Sequence, residues 1–464
     1  MRYTDHHTVE ELKIAYIGGG SRGWAWGLMA DLASAGDLSG TVALYDINQT
    51  AAERNAVIGN RYNDLPDCKS RWDYAAADSL QEALTGADFV VISILPGTFD
   101  EMHSDVHAPE AYNIWQSVGD TTGPGGILRA LRAVPQMEVI AAAIRDFCPK
   151  AWVINYTNPM ALCIKTLYDV FPDIRAFGCC HEVFGTKKLL AEAVQELCGA
   201  EEVDREDIKV NVVGVNHFTW LTEASWRNVD LFPVYRAFAE KYRETGFGGE
   251  KEVNWMNSSF ADGKRIKFDL FLRFGAIAAA GDRHLAEFCP KNWYLSSPEQ
   301  AHSWGIGLTT VDWRKDRQKE REEQSLRLAS GEEAVKLRTT GEEGVLQMRA
   351  LLGLTELVTN VNIPNRGQIP NLPLGTVVET NAVFRAGTLK PVFAGPIPQS
   401  VDALVRRIAN AQLLVSEACR ERDLEKAFLA FTNDPLMDLS TADARVLFDK
   451  MVDNTREYLS EYLK

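Results

Sequence analysis

Two short segments carry the residue types best suited to chemistry. Gly178-Cys179-Cys180-His181-Glu182-Val183 sets a thiol beside an imidazole, and Val215-Asn216-His217-Phe218 supplies a second imidazole further along the chain. A divalent ion needs two or more good donors facing an open cleft. Cys180 and His217 could supply them, although on spacing alone a pair of unrelated core residues fits as well. A third segment, Gly18-Gly19-Gly20-Ser21-Arg22-Gly23, has the Gly-x-Gly-x-x-Gly pattern of a dinucleotide loop. A thiolate and an imidazole on a metal, next to a dinucleotide, point to redox chemistry on a hydroxylated substrate.

The elements between these segments decide whether they can meet. Residues 12–18 are an apolar run ending in glycine, as a buried parallel strand is. A helix is expected over 24–35 and a second strand over 41–46, ending in Asp46. The alternation goes on with a helix over 50–62, strands near 71–75 and 87–93, and a helix over 127–147. A strand at 151–155, a helix after Pro159 and a strand at 174–178 complete it. This predicts an α/β fold, a doubly wound parallel Rossmann-type sheet like that of lactate and malate dehydrogenases. Beyond residue 205 the pattern changes to paired strands (208–213 and 218–223) and then helices. One of these, within the charged stretch 314–338, reads as a solvated face, and helices near 401–418 and 442–463 close the chain. The expected division is 1–204 for the dinucleotide domain and 205–464 for an α+β lobe carrying substrate, metal and oligomer contacts.

Within the loop, Gly18 permits the tight turn, Gly20 lets the backbone approach a pyrophosphate, and Gly23 allows close helix–strand packing. The helix N-terminus behind them offers free amides to phosphates. Asp46 stands where a carboxylate accepts hydrogen bonds from a ribose diol and repels a 2′-phosphate, which favours NAD over NADP. Ser21, Pro96 and Asn155 are further expected cofactor contacts. Cys180 and His181 follow a strand at its carboxyl end, where open α/β sheets bind ligands. Asn155 and Asn158 end another such strand. They suit sugar hydroxyls, or capping of the helix that begins at Pro159.

Composition limits the partners. With 49 basic and 64 acidic side chains the formal charge is −15, which disfavours nucleic acid and anionic membranes. No apolar run reaches the roughly 20 residues that span a bilayer, and the N-terminal residues lack the apolar core of a secretory signal. A cytoplasmic protein is expected. At 464 residues the chain exceeds one ordinary core. Its eight cysteines show no Cys-x-x-Cys spacing, as is usual for reduced and mostly buried thiols.

Taken in order, the motifs resemble glycoside hydrolase family 4, the NAD- and metal-dependent glycosidases. The resemblance covers nearly the whole chain. It runs from Ile17-Gly18-Gly19-Gly20-Ser21 and Leu44-Tyr45-Asp46 through Gly119-Asp120-Thr121-Thr122-Gly123-Pro124-Gly125-Gly126 to Asn155-Tyr156-Thr157-Asn158-Pro159. Cys180-His181-Glu182-Val183, Val215-Asn216-His217-Phe218 and Asn365-Arg366-Gly367-Gln368-Ile369-Pro370 continue it. The resemblance implies Cys180 and His217 as ligands of a metal, usually Mn²⁺. It also implies Asn158 as a sugar contact, and Asp120, His181 and Asn216 are placed at the substrate with it. A homodimer or homotetramer is implied as well. The implied reaction begins when NAD⁺ takes a hydride from C3 of the sugar, which acidifies the C2 hydrogen. A base removes that proton, the aglycone leaves, water adds, and the hydride returns, with no net oxidation.

Some positions depart from the pattern. Members that act on phosphorylated sugars have an aspartate after the metal cysteine, where this chain has His181, a group suited to acid–base work. They carry an arginine at the place of Met102, and tyrosines, one of them the base, in the segment that here holds Phe271 and Phe274. Asp269, Asp282, His284 and Glu287 are the nearby titratable residues. Asp282 and His284 are the expected bases, with a salt-bridged cluster around Arg283 as the alternative. The Cys-His-Glu-Val variant resembles the branch acting on α-galacturonides, so an α-galacturonide or oligogalacturonide is the expected substrate. Arg283 or Arg366 could clamp its carboxylate. Related branches act on α-galactosides or α-glucuronides. An NAD-dependent sugar or hydroxy-acid dehydrogenase, or a non-catalytic NAD sensor, would share the opening fold.

Overall fold

The computed structural model describes residues 1–4, 7–248, 262–308, 310–338 and 340–464. Strands β1 (Val9–Ile17), β2 (Leu38–Tyr45), β3 (Trp72–Ala76), β4 (Phe89–Ile92), β5 (Trp152–Asn155) and β6 (Arg175–Gly178) are parallel. They lie in the order β3-β2-β1-β4-β5-β6, the Rossmann-type arrangement that reverses between β1 and β4. All four residues of β4 are buried, because helices cover both faces of a parallel sheet. Those helices include α1 (Trp24–Ser34), α2 (Gln49–Arg61), α3 (Gly123–Phe147), α4 (Met160–Val170) and α5 (Glu182–Cys198). Each expected strand and helix of this half is present to within a few residues.

The division expected at 204/205 does not separate two sheets. Strands β7 (Ile208–Val215) and β9 (Ile277–Ala278) both pair antiparallel with β8 (Phe218–Trp226) in a second, smaller sheet. The chain then returns to the first sheet. There β10 (Leu357–Pro364) lies antiparallel to β6, with Asn362 opposite Gly178, and β11 (Val377–Arg385) and β12 (Thr388–Pro391) follow outward. Without β10, β6 would present an open edge of unpaired backbone groups. Short helices of the second half, α6 (Arg265–Phe274) and α7 (Asp282–Phe288), close over the carboxyl end of the parallel strands.

The charged helix α8 (Val311–Ser330) is more than a solvated face. Its Glu322 pairs with both Arg22 and Arg54, and its Arg321 donates to the Arg22 carbonyl, so it braces the glycine loop from outside. The last long helix stops at Asn454, short of the expected 463. Among the described residues, no helix is long and apolar enough to cross a membrane.

A half-buried carboxylate on α1 makes stability depend on pH. Asp31 accepts from the Thr340 amide (2.9 Å) and hydroxyl (2.5 Å). Burial nevertheless pushes it up to about 6. A carboxyl raised on folding favours the folded state fully below its unfolded value near 3.8, and that contribution is lost as the pH rises through about 6. Asp31→Asn should therefore unfold later than the parent at pH 7.5, by up to roughly 3 kcal/mol. The gap should close near pH 4, as urea unfolding at the two pH values would show. An equal effect at both would contradict it.

Candidate active site

The glycine loop is built for close approach. Gly18 has φ +91°, and a Cβ there would lie 2.0 Å from the Ser93 carbonyl oxygen, so no side chain fits. Gly20 donates its amide to Asp46 Oδ2 (2.8 Å), and a Cβ on Gly20 would meet that carboxylate at 2.9 Å. Asp46 also accepts from the Asn48 amide (2.8 Å). The carboxylate expected at a ribose therefore shapes the loop as well. Gly23 precedes α1 without any side-chain cap, leaving the first-turn amides open to an anion. Ser21 closes the turn through its amide on the Gly18 carbonyl (3.0 Å). Asn55, which sequence reasoning missed, donates to the carbonyls of Gly19 (2.7 Å) and Ser21 (2.9 Å) and is buried. A lone amide among the alanines on the inner face of α2 was its signal.

Trp24, the first residue of α1, links this loop to the second motif. Its ring lies 5.1 Å from Tyr156 and 6.2 Å from His181. From there the donors converge. Asp120, His217 and His284 bring ligand atoms within 4.8 Å of one another, and the two imidazoles stack at 4.2 Å. Each comes from a different element: the loop before α3, the turn between β7 and β8, and α7. Glu287 fixes the first of these by accepting from the Val118 (2.7 Å) and Gly119 (2.9 Å) amides. Asp434 takes the Gly123 amide (2.9 Å) on its other side. The Asn158–Pro159 and Asn216–His217 peptides are cis.

The electrostatics suit a cation. Burial alone would raise Asp120, but Arg129, His284, His217 and the Thr121 hydroxyl hold it well below the carboxylate range. Burial, reinforced by His284, pushes His217 down to about 3, and burial lowers His284 as well. Both imidazoles are thus neutral at pH 7, the form that ligates metals. Thr121 donates its hydroxyl to Asp120 Oδ1 (2.7 Å) and so must accept from His217 Nδ1 (3.1 Å), leaving the Nε2 lone pair of His217 for a ligand.

Glu182 is the shared neighbour of all these groups. In spite of burial, its carboxylate is held low by His284, His181 and His217, and Oε2 accepts from the Gly281 amide (2.6 Å). Cys180 faces the same carboxylate. Burial, with Glu379 and Glu182 nearby, pushes its thiol well above the usual range, so it would join a donor set only by losing its proton to a cation.

Several expected residues lie elsewhere. Asp282 does not reach the cluster. Its two oxygens take the Ile266 (2.9 Å) and Lys267 (3.1 Å) amides and cap α6, whose own N-cap residue offers no side-chain bond. His284, two positions on, projects from the opposite side of α7 and does arrive. Asn155 is fully buried, with its amide turned onto the Thr157 carbonyl (3.0 Å), so its side chain meets neither cofactor nor sugar. Asn216 is also fully buried; it donates to Glu379 (3.0 Å) and bonds the Cys180 side chain. Pro96 is buried, its carbonyl facing Arg132 (3.4 Å). Asp269 bonds Tyr294 (2.5 Å), and Phe271 lies in the core. Arg366 is exposed and lies over Tyr168 (6.0 Å), not in the cleft. Glu182 and Glu379 were missed as parts of the site's frame, although Glu182 stands inside the Cys-His-Glu-Val motif; Glu287, expected only as a nearby titratable residue, holds the Val118 and Gly119 amides.

Fold and site together define a Rossmann-type enzyme that works at the carboxyl edge of its sheet, between a dinucleotide loop and a cluster of metal-ligand side chains. The family model for family 4 glycosyl hydrolase matches residues 13–196, and that for the family's C-terminal domain matches residues 212–437. The Alpha-galacturonidase of Thermoanaerobacterium saccharolyticum is 59% identical over 459 residues, which is 99% of this chain and 98% of that protein. The crystal structure of lplD from Bacillus subtilis superposes with a TM-score of 0.90 at 51% identity, covering 96% of this chain and 100% of that one. A 6-phospho-alpha-glucosidase from gut microorganisms, solved in complex with NAD and Mn²⁺, shares the fold with a TM-score of 0.79 at 19% identity, over 97% of this chain and 99% of that one. The chain belongs to family 4 of the glycosyl hydrolases and is a glycosidase.

Proposed function

We propose that the protein hydrolyses α-galacturonides, oligogalacturonides included, with NAD⁺ and a divalent cation, Mn²⁺ by preference. The observation that carries this reading is the meeting of Asp120, His217 and His284, each from a different element, within 4.8 Å of one another. The relative named Alpha-galacturonidase supports the sugar, and the neighbour solved with NAD and Mn²⁺ supports the cofactors. One ionised carboxylate and two neutral imidazoles are a fitting donor set for such a cation. His217 would hold it, with Asp120 and His284 as further donors; Cys180, at the end of β6, is not within that group and would have to approach it. When bound, the cation would supply Lewis acidity to hydroxyl oxygens and NAD⁺ would take the C3 hydride and return it after C2 deprotonation, elimination and water addition, with no net oxidation.

The chain's own groups do the rest. Asn158 donates to Asp120 (3.4 Å), and its Oδ1 is buried without a protein partner, aimed for a sugar hydroxyl. His181 sits in a cleft that Glu182, Lys188, Lys267 and Gly281 also line. Its Nδ1 faces Glu342 (3.2 Å) and its Nε2 faces Glu182 (3.5 Å). A carboxylate facing each nitrogen orients the ring, which places His181 to protonate the departing aglycone oxygen. Such a placed acid contributes about 10²–10⁴ in rate. A homodimer or homotetramer in the cytoplasm belongs to the same reading.

The test is a panel of α-glycosides sharing one aglycone, assayed with and without NAD⁺ and Mn²⁺. The galacturonide should be cleaved fastest, only when both are present, and without NADH accumulating. Cleavage independent of NAD⁺ would contradict the proposal. Net NADH formation would make the protein a sugar dehydrogenase.

A further inference from the structure

The cleft beside His181 holds a buried amine that the frame of the site does not pair. Lys267 lies in the first turn of α6 and lines this cleft together with His181, Glu182 and Gly281. The residue is only 2% exposed, and its Nζ donates to the hydroxyl of Thr186 (3.0 Å), itself fully buried on α5. Among the described residues, no carboxylate forms an ion pair with it.

The acids around it are engaged elsewhere. Asp262 pairs with Lys264, and Asp282 takes the Ile266 (2.9 Å) and Lys267 (3.1 Å) amides. Glu182 accepts from the Gly281 amide (2.6 Å) and faces His181 (3.5 Å) and His284 (3.7 Å), while Glu342 faces the other nitrogen of His181 (3.2 Å). Lys188 and Glu192 are exposed on the same lining, one turn apart on α5, and balance one another. An ammonium has three donors, and here the bond it makes goes to a neutral hydroxyl. Burying such a charge is costly, and the dipole of α6 disfavours a cation in its first turn. A polar group held at that cost on the wall of a cleft fixes the orientation of a ligand with the opposite charge.

We infer that the cleft is a subsite for an acidic leaving sugar, in which Lys267 holds the carboxylate of the departing uronic acid. This rests on the proposed reading of the site as one for α-galacturonides, oligogalacturonides included. Glu182 stands between the donor cluster and the cleft, with Oε1 facing both His284 and His181. The transferred sugar belongs on the donor side of Glu182 and the glycosidic oxygen at His181. The residue that departs with that oxygen then extends along the cleft to Lys267.

The experiment compares kcat/KM of the holoenzyme on a digalacturonide and on the same disaccharide with its leaving residue as the methyl ester. The parent should prefer the free acid by about 10²-fold. Lys267→Met keeps the length of the side chain without its charge, and should remove most of that preference, chiefly through KM. Lys267→Arg should retain part of it, because the charge remains. A loss that falls equally on both substrates would mean a structural role, or a carboxylate held on the transferred sugar, and would overturn the inference. If the Met variant does not fold, the parent decides, since equal cleavage of acid and ester would overturn the inference too. A parent that cleaves neither galacturonide removes the reading of the site and this inference together. A parental preference that survives Lys267→Met removes this inference alone.

Discussion

Replacing His217 by asparagine is expected to lower kcat/KM on the preferred α-glycoside by at least about 10³-fold while NAD⁺ binding persists. His217 is the one residue common to the donor pair read from the sequence and the donor cluster seen in the fold. Its ring stacks on His284, and its Nδ1 bond to Thr121 leaves Nε2 directed at a ligand. Asparagine keeps a polar side chain in the pocket but removes that nitrogen. The cation then loses a donor, and the polarisation it gives the substrate, worth several kcal/mol, goes with it. The glycine loop, Asp46 and Asn55 are bonded among themselves and do not depend on His217. Titration of NAD⁺ fluorescence quenching and of Mn²⁺ binding on the same variant separates the two losses. Retained Mn²⁺ affinity would show that the cluster is not the cation's seat.

Glu182→Gln should be nearly as damaging, for a different reason. Glutamine keeps the acceptor for the Gly281 amide (2.6 Å), so the local fold and melting temperature should hold. What disappears is the buried negative charge that His181, His217, His284 and Cys180 all face. Without it His181 loses the carboxylate facing its Nε2 (3.5 Å), and a cation held there would lose part of the field that draws it in. Second-sphere losses of this kind weaken metal binding by about 10–100-fold, and the missing acid adds to that. A fall in kcat/KM of about 10²–10³-fold with an unchanged melting temperature is expected. A variant with parental activity would show that the shared carboxylate is only scaffolding.

The sequence made the dinucleotide half legible because its signals are local. Apolar runs such as Phe89–Ile92, the glycine spacing and Asp46 each report on a few adjacent residues, and they fell where the strands and loop are. The antiparallel pairing after residue 205 was readable for the same reason. What could not be read depends on distant partners. Leu357–Arg385 falls where only helices were expected, yet it forms a hairpin whose register places Asn362 against Gly178 and extends the first sheet. The choice of sheet is made by the open edge of β6, not by the hairpin. Side-chain direction was equally hidden. Asp282 and His284 were equivalent candidates, but one caps α6 and the other joins the donors, because positions two apart on a helix diverge. Arg366 belongs to a family motif yet faces outward.

The central claim is that donors and dinucleotide share one crevice, so that the sugar is briefly oxidised before its bond breaks. The most direct test is turnover of the preferred α-glycoside in D₂O with NAD⁺ and Mn²⁺, followed by NMR of the released sugar. Deuterium at C2 of that sugar is the result expected. Complete cleavage with protium retained at C2 would mean ordinary acid–base hydrolysis and would contradict the account.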